Sequence, residues 1–80
     1  MTKYEIRRVK DWRDYSFAVA CVHQEIDGNP ENGDKTKKII KLYGYNPKKE
    51  IFTFSSKEEI IPSAINPKLS ERGLILRVLK

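Results

Sequence analysis

The stretch "YSFAVACVHQEID", residues 15–27, decides the fold, because it reads either as a buried strand or as a helix. Apolar residues fill both its odd positions (Phe17, Val19, Cys21) and its even ones (Ala18, Ala20, Val22). That is the pattern of a strand covered on both faces near the middle of a sheet. Val, Phe and Tyr lean the same way, so the expectation is a central strand stopped by Gly28. The Ala-rich middle keeps one alternative open: a helix over residues 16–24 moves the fold to α+β.

Downstream, "DGNPENGDKTKK", residues 27–38, stacks D-G, N-P and N-G turn signals and holds no apolar residue. It reads as a polar, mobile loop. Asp27, Asn29 and Glu31 alternate as calcium ligands do, but glycine stands at Gly33 instead of the sixth position and Lys38 occupies the place of the closing glutamate, which excludes calcium.

The next segment, "KLYGYNPKKEIFTF", residues 41–54, reads as a hairpin turning through Asn46, Pro47, Lys48 and Lys49. Pairing Tyr45 with Glu50 crowds four aromatic rings onto one face. Pairing Tyr45 with Ile51 puts Ile40, Leu42, Phe52 and Phe54 on one face and Lys41, Tyr43, Tyr45 and Thr53 on the other, with Gly44 beneath the Phe52 ring. Burial selects the second register, so the phenylalanines are expected inward and the tyrosines outward.

Ser56 followed by Glu59 matches a capping box, which predicts a short helix opening at residue 56 and limited or kinked by Pro62. Its Ile60, Ile61, Ala64 and Ile65 would cover one end of the sheet, and Asn66 with Pro67 makes a further turn. "GLILRVLK", residues 73–80, is a closing strand with Leu74, Leu76 and Val78 on one face, and "KYEIRRV", residues 3–9, an edge strand with Tyr4 and Ile6 inward. The expected fold is mainly β: a strongly bent five-stranded sheet or barrel, OB-like or SH3-like, with one short helix.

At 80 residues the chain makes one domain, 1–80. Leu, Ile, Val and Phe number 21, above the level at which a highly charged chain stays disordered. No apolar run reaches membrane-span length and "MTKYEIRRVK" lacks the apolar segment of a secretory signal, so a cytoplasmic protein without a membrane partner is expected. Cys21 and His23 are the only residues of their types, which excludes a disulfide framework or a multi-ligand zinc site within one chain. As alternate strand residues they could share a face, where a packed thiol beside a half-buried imidazole is expected. Glu58 and Glu59 suit the dipole at a helix start, and there is no Gly-rich phosphate loop. A non-enzyme without cofactors follows.

Charge points to a partner. Residues 35–49 hold six lysines and no acid, whereas the remaining 65 residues hold ten bases against eleven acids. Such a block attracts phosphates or acidic protein surfaces. Single-stranded nucleic acid is held by a positive groove together with rings on which bases stack. The expected site is Lys35, Lys37, Lys38, Lys41, Tyr43, Tyr45, Lys48 and Lys49, tolerant of sequence and sensitive to salt. Over eight residues "KLYGYNPK" resembles the aromatic motif of the RNA recognition motif family at Lys41, Tyr43, Gly44 and Tyr45. Leu42, Asn46 and Lys48 depart from that motif, and the two sizeable helices the family needs have no credible segments in this reading, so the likeness is one of shared physics and not of family. The rival function is a small protein-binding adaptor or inhibitor for an acidic protein, using Arg7, Arg8, Trp12, Arg13 and Tyr15 of "RRVKDWRDY", residues 7–15. An edge strand could also pair two copies as a homodimer.

Overall fold

Asp11 begins the element that the patterning of residues 15–27 misread. Its side chain accepts hydrogen bonds from the amides of Arg13 and Asp14, each at 3.0 Å, and so caps a helix. In the computed structural model, which describes residues 1–28 and 34–79 apart from the side chains of Leu42 and Tyr43, that helix is α1, Trp12–Asp27. Gly28 closes it in the left-handed conformation, φ 73°, its amide donating to the Gln24 carbonyl. Asp14, Ala18, Cys21 and Val22 are buried, a helical spacing. Phe17, Val19 and Tyr15 are only partly buried against the same core, and these flanking apolar positions imitated a two-faced strand. The expected central strand is therefore a helix, and Cys21 and His23, two positions apart, do not share a face.

The chain runs β1 (Thr2–Arg7), α1, α2 (Asp34–Ile39), β2 (Ile40–Asn46), β3 (Ile51–Ser56), α3 (Pro62–Leu69), a single 3-10 turn (Ser70–Arg72) and β4 (Ile75–Leu79). The four strands form one antiparallel sheet in the order β2-β3-β1-β4. Setting the short α2 aside, this is the βαββαβ split arrangement of ferredoxin-like folds. It is α+β. The sheet is open, with edges at β2 and β4, so the expected five-stranded barrel does not form: its fifth strand is α1. The expected 27–38 loop is also shorter, since 34–39 is helical; residues 29–33 lie outside the described residues.

Further corrections follow from local chemistry. β1 is central, flanked by β3 and β4, although Tyr4 and Ile6 do point inward. Ser56 ends β3 instead of capping a helix, and its hydroxyl donates to the Glu58 carbonyl. Helix α3 starts at Pro62, whose missing amide hydrogen costs nothing in a first turn, and runs on through Pro67.

The core lies between one sheet face and the helices. Tyr4, Ile6, Phe52, Phe54 and Leu76 from the strands meet Ala18, Val22, Ile65 and Leu69 from α1 and α3, all at most 2% exposed. Tyr4 stacks on Phe54 at 5.3 Å between ring centroids. Its hydroxyl accepts the Ile60 amide at 2.7 Å, which satisfies the buried phenol and ties the approach to α3 onto β1.

At the β4 edge, the Asn66 carboxamide accepts the Leu76 amide at 2.8 Å and donates to the Leu76 carbonyl at 3.4 Å. One side chain thus takes the place of a neighbouring strand at the groups through which a second copy would pair, a form of edge protection. We predict that Asn66→Ala lowers unfolding free energy by about 1–3 kcal/mol, since it strands a part-buried backbone pair. Chemical denaturation checks this; an unchanged midpoint would refute the assigned role.

Candidate anion-binding face of the sheet

With the helices on one side, strand alternation leaves Lys3, Glu5 and Arg7 of β1, Ile51, Thr53 and Ser55 of β3, and Ile75, Arg77 and Leu79 of β4 on the other. None of these is aromatic. The hairpin explains where one expected ring went. Ile40 pairs with Ser56 and Lys41 with Ser55, in the expected register, but the pairing shifts by one before Gly44, so that Tyr45 faces Phe52 and Asn46 faces Ile51. Positions 42 and 43 together oppose Phe54, the geometry of a bulge. Asn46 receives the amides of Lys48 and Lys49 on its side-chain oxygen, at 3.0 and 3.2 Å, and the turn extends through Glu50.

This one-residue shift turns Tyr45 onto the helix side, contrary to expectation. Its ring stacks on Tyr15 at 5.2 Å, and Tyr15 meets Phe52 edge-on at 5.1 Å. Burial, with Asp11, Asp14 and Glu50 adding negative potential, pushes the Tyr45 phenol above its ordinary value. Tyr15 and Tyr45, from two separate candidate sites, are partners in a packing contact. The side chain of Tyr43 lies outside the described residues.

The lysine block is divided by the length of β2, whose seven residues span about 20 Å. Lys35, Lys37 and Lys38 are exposed on α2 at one end, next to Lys41, and Lys48 and Lys49 sit in the turn at the other. Helix α2 is anchored by Asp27, whose carboxylate accepts the amides of Lys35 and Thr36, at 2.9 and 3.0 Å, and the Thr36 hydroxyl. The Thr36 hydroxyl bond is the leading cause of a depressed Asp27 pKa. Lys35 and Glu58 approach to 3.8 Å, both half exposed, a pair of little energetic weight.

The convergence that does occur was not anticipated. Arg7, Arg8, Lys49 and Arg77 surround a concavity of about 470 Å³, with Ile75 as an apolar wall and Glu50 the one carboxylate. It joins the end of β1, the β2–β3 turn and the start of β4. The Val9 amide donates to the Glu50 carbonyl at 2.9 Å, clamping the turn against the end of β1. Arg8 and Glu50, with φ of 70° and 57°, are the two non-glycine residues with positive φ among the described residues. Such conformations cost roughly 1 kcal/mol or more in side-chain-bearing residues. Both line this concavity.

Arg7 and Arg8 came from the rival protein-binding set and Lys49 from the nucleic-acid set; Arg77 belonged to neither. Its signal was a single cation alternating with apolar residues on the last strand, legible only once β4 is known to lie beside β1. Trp12 and Arg13 open α1 at the same end of the chain fold, with Trp12 70% exposed and the Arg13 guanidinium 5.9 Å from its ring centroid.

Cys21 is buried, and burial pushes its thiol above the ordinary range, away from the reactive thiolate. Among the described residues no three His, Cys, Asp or Glu side chains gather as a metal site, and no helix is long and apolar enough to cross a membrane. The chain matches no protein-family model, no curated protein and no solved structure.

Three outcomes are predicted. Tyr45→Ala destabilises the fold by about 2 kcal/mol in urea denaturation, because a half-buried stacked ring is lost; full stability would return this ring to the surface. Arg8→Gly leaves stability unchanged or raises it by up to about 1 kcal/mol, relief of the left-handed backbone outweighing glycine's entropy, and a clear loss of stability would refute the strain. Asp27, with its folded pKa below the ordinary 3.8, contributes stability that is present above about pH 4 and lost as pH falls through the lower folded value. The stability gap between the protein and Asp27→Asn therefore closes on acidification, and a gap independent of pH would contradict the anchoring of α2 by the Asp27 carboxylate.

Proposed function

We propose that the protein is a non-catalytic nucleic-acid-binding module of the cytoplasm that holds the phosphate backbone of a single strand at the arginine-rich end of its uncovered sheet face. The observation that carries this reading is the grouping of Arg7, Arg8, Lys49 and Arg77 about one concavity against the single carboxylate of Glu50. Guanidinium groups suit phosphate because their planar donors engage two oxygens at once. Lys3 and Lys41 extend positive charge over the same face, while Glu5, directly across from Arg77 and 4.0 Å from Arg7, moderates it.

Sheets of the RNA recognition motif type bind by stacking bases on exposed rings. On the described β1 and β3 positions of this face there are none, so contact along those strands is electrostatic and does not depend on base stacking. The α2 lysines, some 20 Å away along β2, serve as a remote attractive field.

A second reading rests on the exposed Trp12 beneath Arg13. Large exposed Trp–Arg pairs anchor protein interfaces, so an adaptor engaging an acidic protein is the alternative.

Titration of a fluorescent single-stranded oligonucleotide at several salt concentrations separates the two. The nucleic-acid reading predicts about micromolar binding at low salt that falls linearly in log–log form, and Arg77→Gln reducing the slope by about 0.7–1. Flat titrations with single-stranded DNA and RNA would end it. Retained oligonucleotide binding in Trp12→Ala, which leaves the cationic concavity intact, excludes the Trp12 surface from that contact.

A further inference from the structure

We infer that the concavity between β1, the β2–β3 turn and β4 is a subsite for one nucleotide unit, phosphate, sugar and base together, and not a bare phosphate site. This deepens and rests on the nucleic-acid reading. Its volume of about 470 Å³ falls in the roughly 300–1,000 Å³ range of small-molecule sites and exceeds what one phosphate would fill. The lining is also chemically mixed.

Arg7 and Arg77 flank Ile75 on the same sheet face, Arg7 as its cross-strand partner and Arg77 two positions along β4. Ile75 is 44% exposed, and a site for phosphate alone has no use for that apolar surface; a sugar or base edge does. Glu50 is the second mismatch. A carboxylate accepts hydrogen bonds and cannot donate them, so the exposed Glu50 side chain disfavours phosphate beside it and offers an acceptor to an N–H or O–H donor of the ligand.

The backbone supports the same assignment. Of the strained pair, Glu50 itself accepts the Val9 amide on its carbonyl and Arg8 precedes the donor Val9, so this bond holds one cation and the one acceptor at the same rim. Backbone strain of this kind concentrates at binding sites. The concavity also shares Arg8 and Ile75 with a second recess of about 400 Å³ bordered by Asn66 and Ser70, so a strand can continue beyond the held unit. The phosphate then lies among Arg7, Arg8 and Arg77, the sugar or base rests on Ile75, and Glu50 accepts from a base amine. Carboxylates accept from the cytosine N4 amine, whereas uracil offers an oxygen at that position. Cytidylate is therefore preferred to uridylate.

The test is titration of CMP, UMP, cytidine and inorganic phosphate, at matched ionic strength, into the isotope-labelled full chain, following the amides of Arg8, Lys49, Glu50, Ile75 and Arg77. CMP is expected to shift them saturably, about tenfold more tightly than UMP, with phosphate and cytidine each much weaker. Arg8→Gly, which suits the left-handed backbone, is expected to weaken CMP at least about fivefold, and Glu50→Gln to narrow the preference over UMP to about twofold. Phosphate or cytidine matching CMP, equal binding of CMP and UMP, or an indifferent Arg8→Gly would overturn the subsite. If no mononucleotide binds while the oligonucleotide still does, the subsite falls and the nucleic-acid reading stands; if neither binds, both fall.

Discussion

One packing constraint organises the molecule: α1 and α3 must bury their apolar sides on the same face of a four-stranded sheet. Tyr4, Ile6, Phe52 and Phe54 cannot be exposed without loss of most of the core, so strand alternation sends Lys3, Glu5, Arg7 and Arg77 to the opposite face. A charged, uncovered face is the direct consequence of a core built on one side. Where β1 leaves that face, Arg8 adopts a left-handed turn that lets Val9 dive into the core and donate to Glu50. The same move brings the β2–β3 turn, with Lys49, against Arg7 and Arg77.

Much of this was legible in the chain. Strands within residues 3–9, 41–54 and 73–80, the inward direction of Tyr4, Ile6, Phe52, Phe54, Leu74 and Leu76, and the Asn46 turn follow from alternation and turn chemistry, whereas Val78, expected on the same face as Leu76, is 40% exposed. Residues 15–22 failed because apolar side chains at both parities suit a doubly covered strand and a helix with partly buried flanks equally well. Caps outside the stretch decide between them. Asp11 before Trp12 and Gly28 after Asp27 are such caps, and weighing them against strand preference would have favoured the helix. Ser56 with Glu59 was the opposite error, a capping pattern used instead to end a strand.

The candidate site was less legible because its formation is non-local. The register expected for the hairpin holds at Ile40 and Lys41 and is lost by Gly44; a single bulge, invisible in composition, turned Tyr45 from an exposed platform into a partner of Tyr15. Charge counting along the chain likewise found the lysines of residues 35–49, which β2 then separates. The cations that meet do so through sheet order, placing Arg77, near the end of the chain, beside Arg7, near its start. The KLYGY resemblance shows the limit of motif reading: the topology has two of its helices on one sheet face, as RNA recognition motifs require, yet the matching residues lie on the bulged edge strand β2.

Mapping amide chemical shifts during titration with a single-stranded oligonucleotide tests most directly whether the uncovered face is the contact surface. The predicted result is perturbation concentrated at the end of β1, residues 48–50 and the first half of β4, with α1 and α3 little changed. Perturbations centred on α2 or on the helical layer, or none at saturating oligonucleotide, would contradict it.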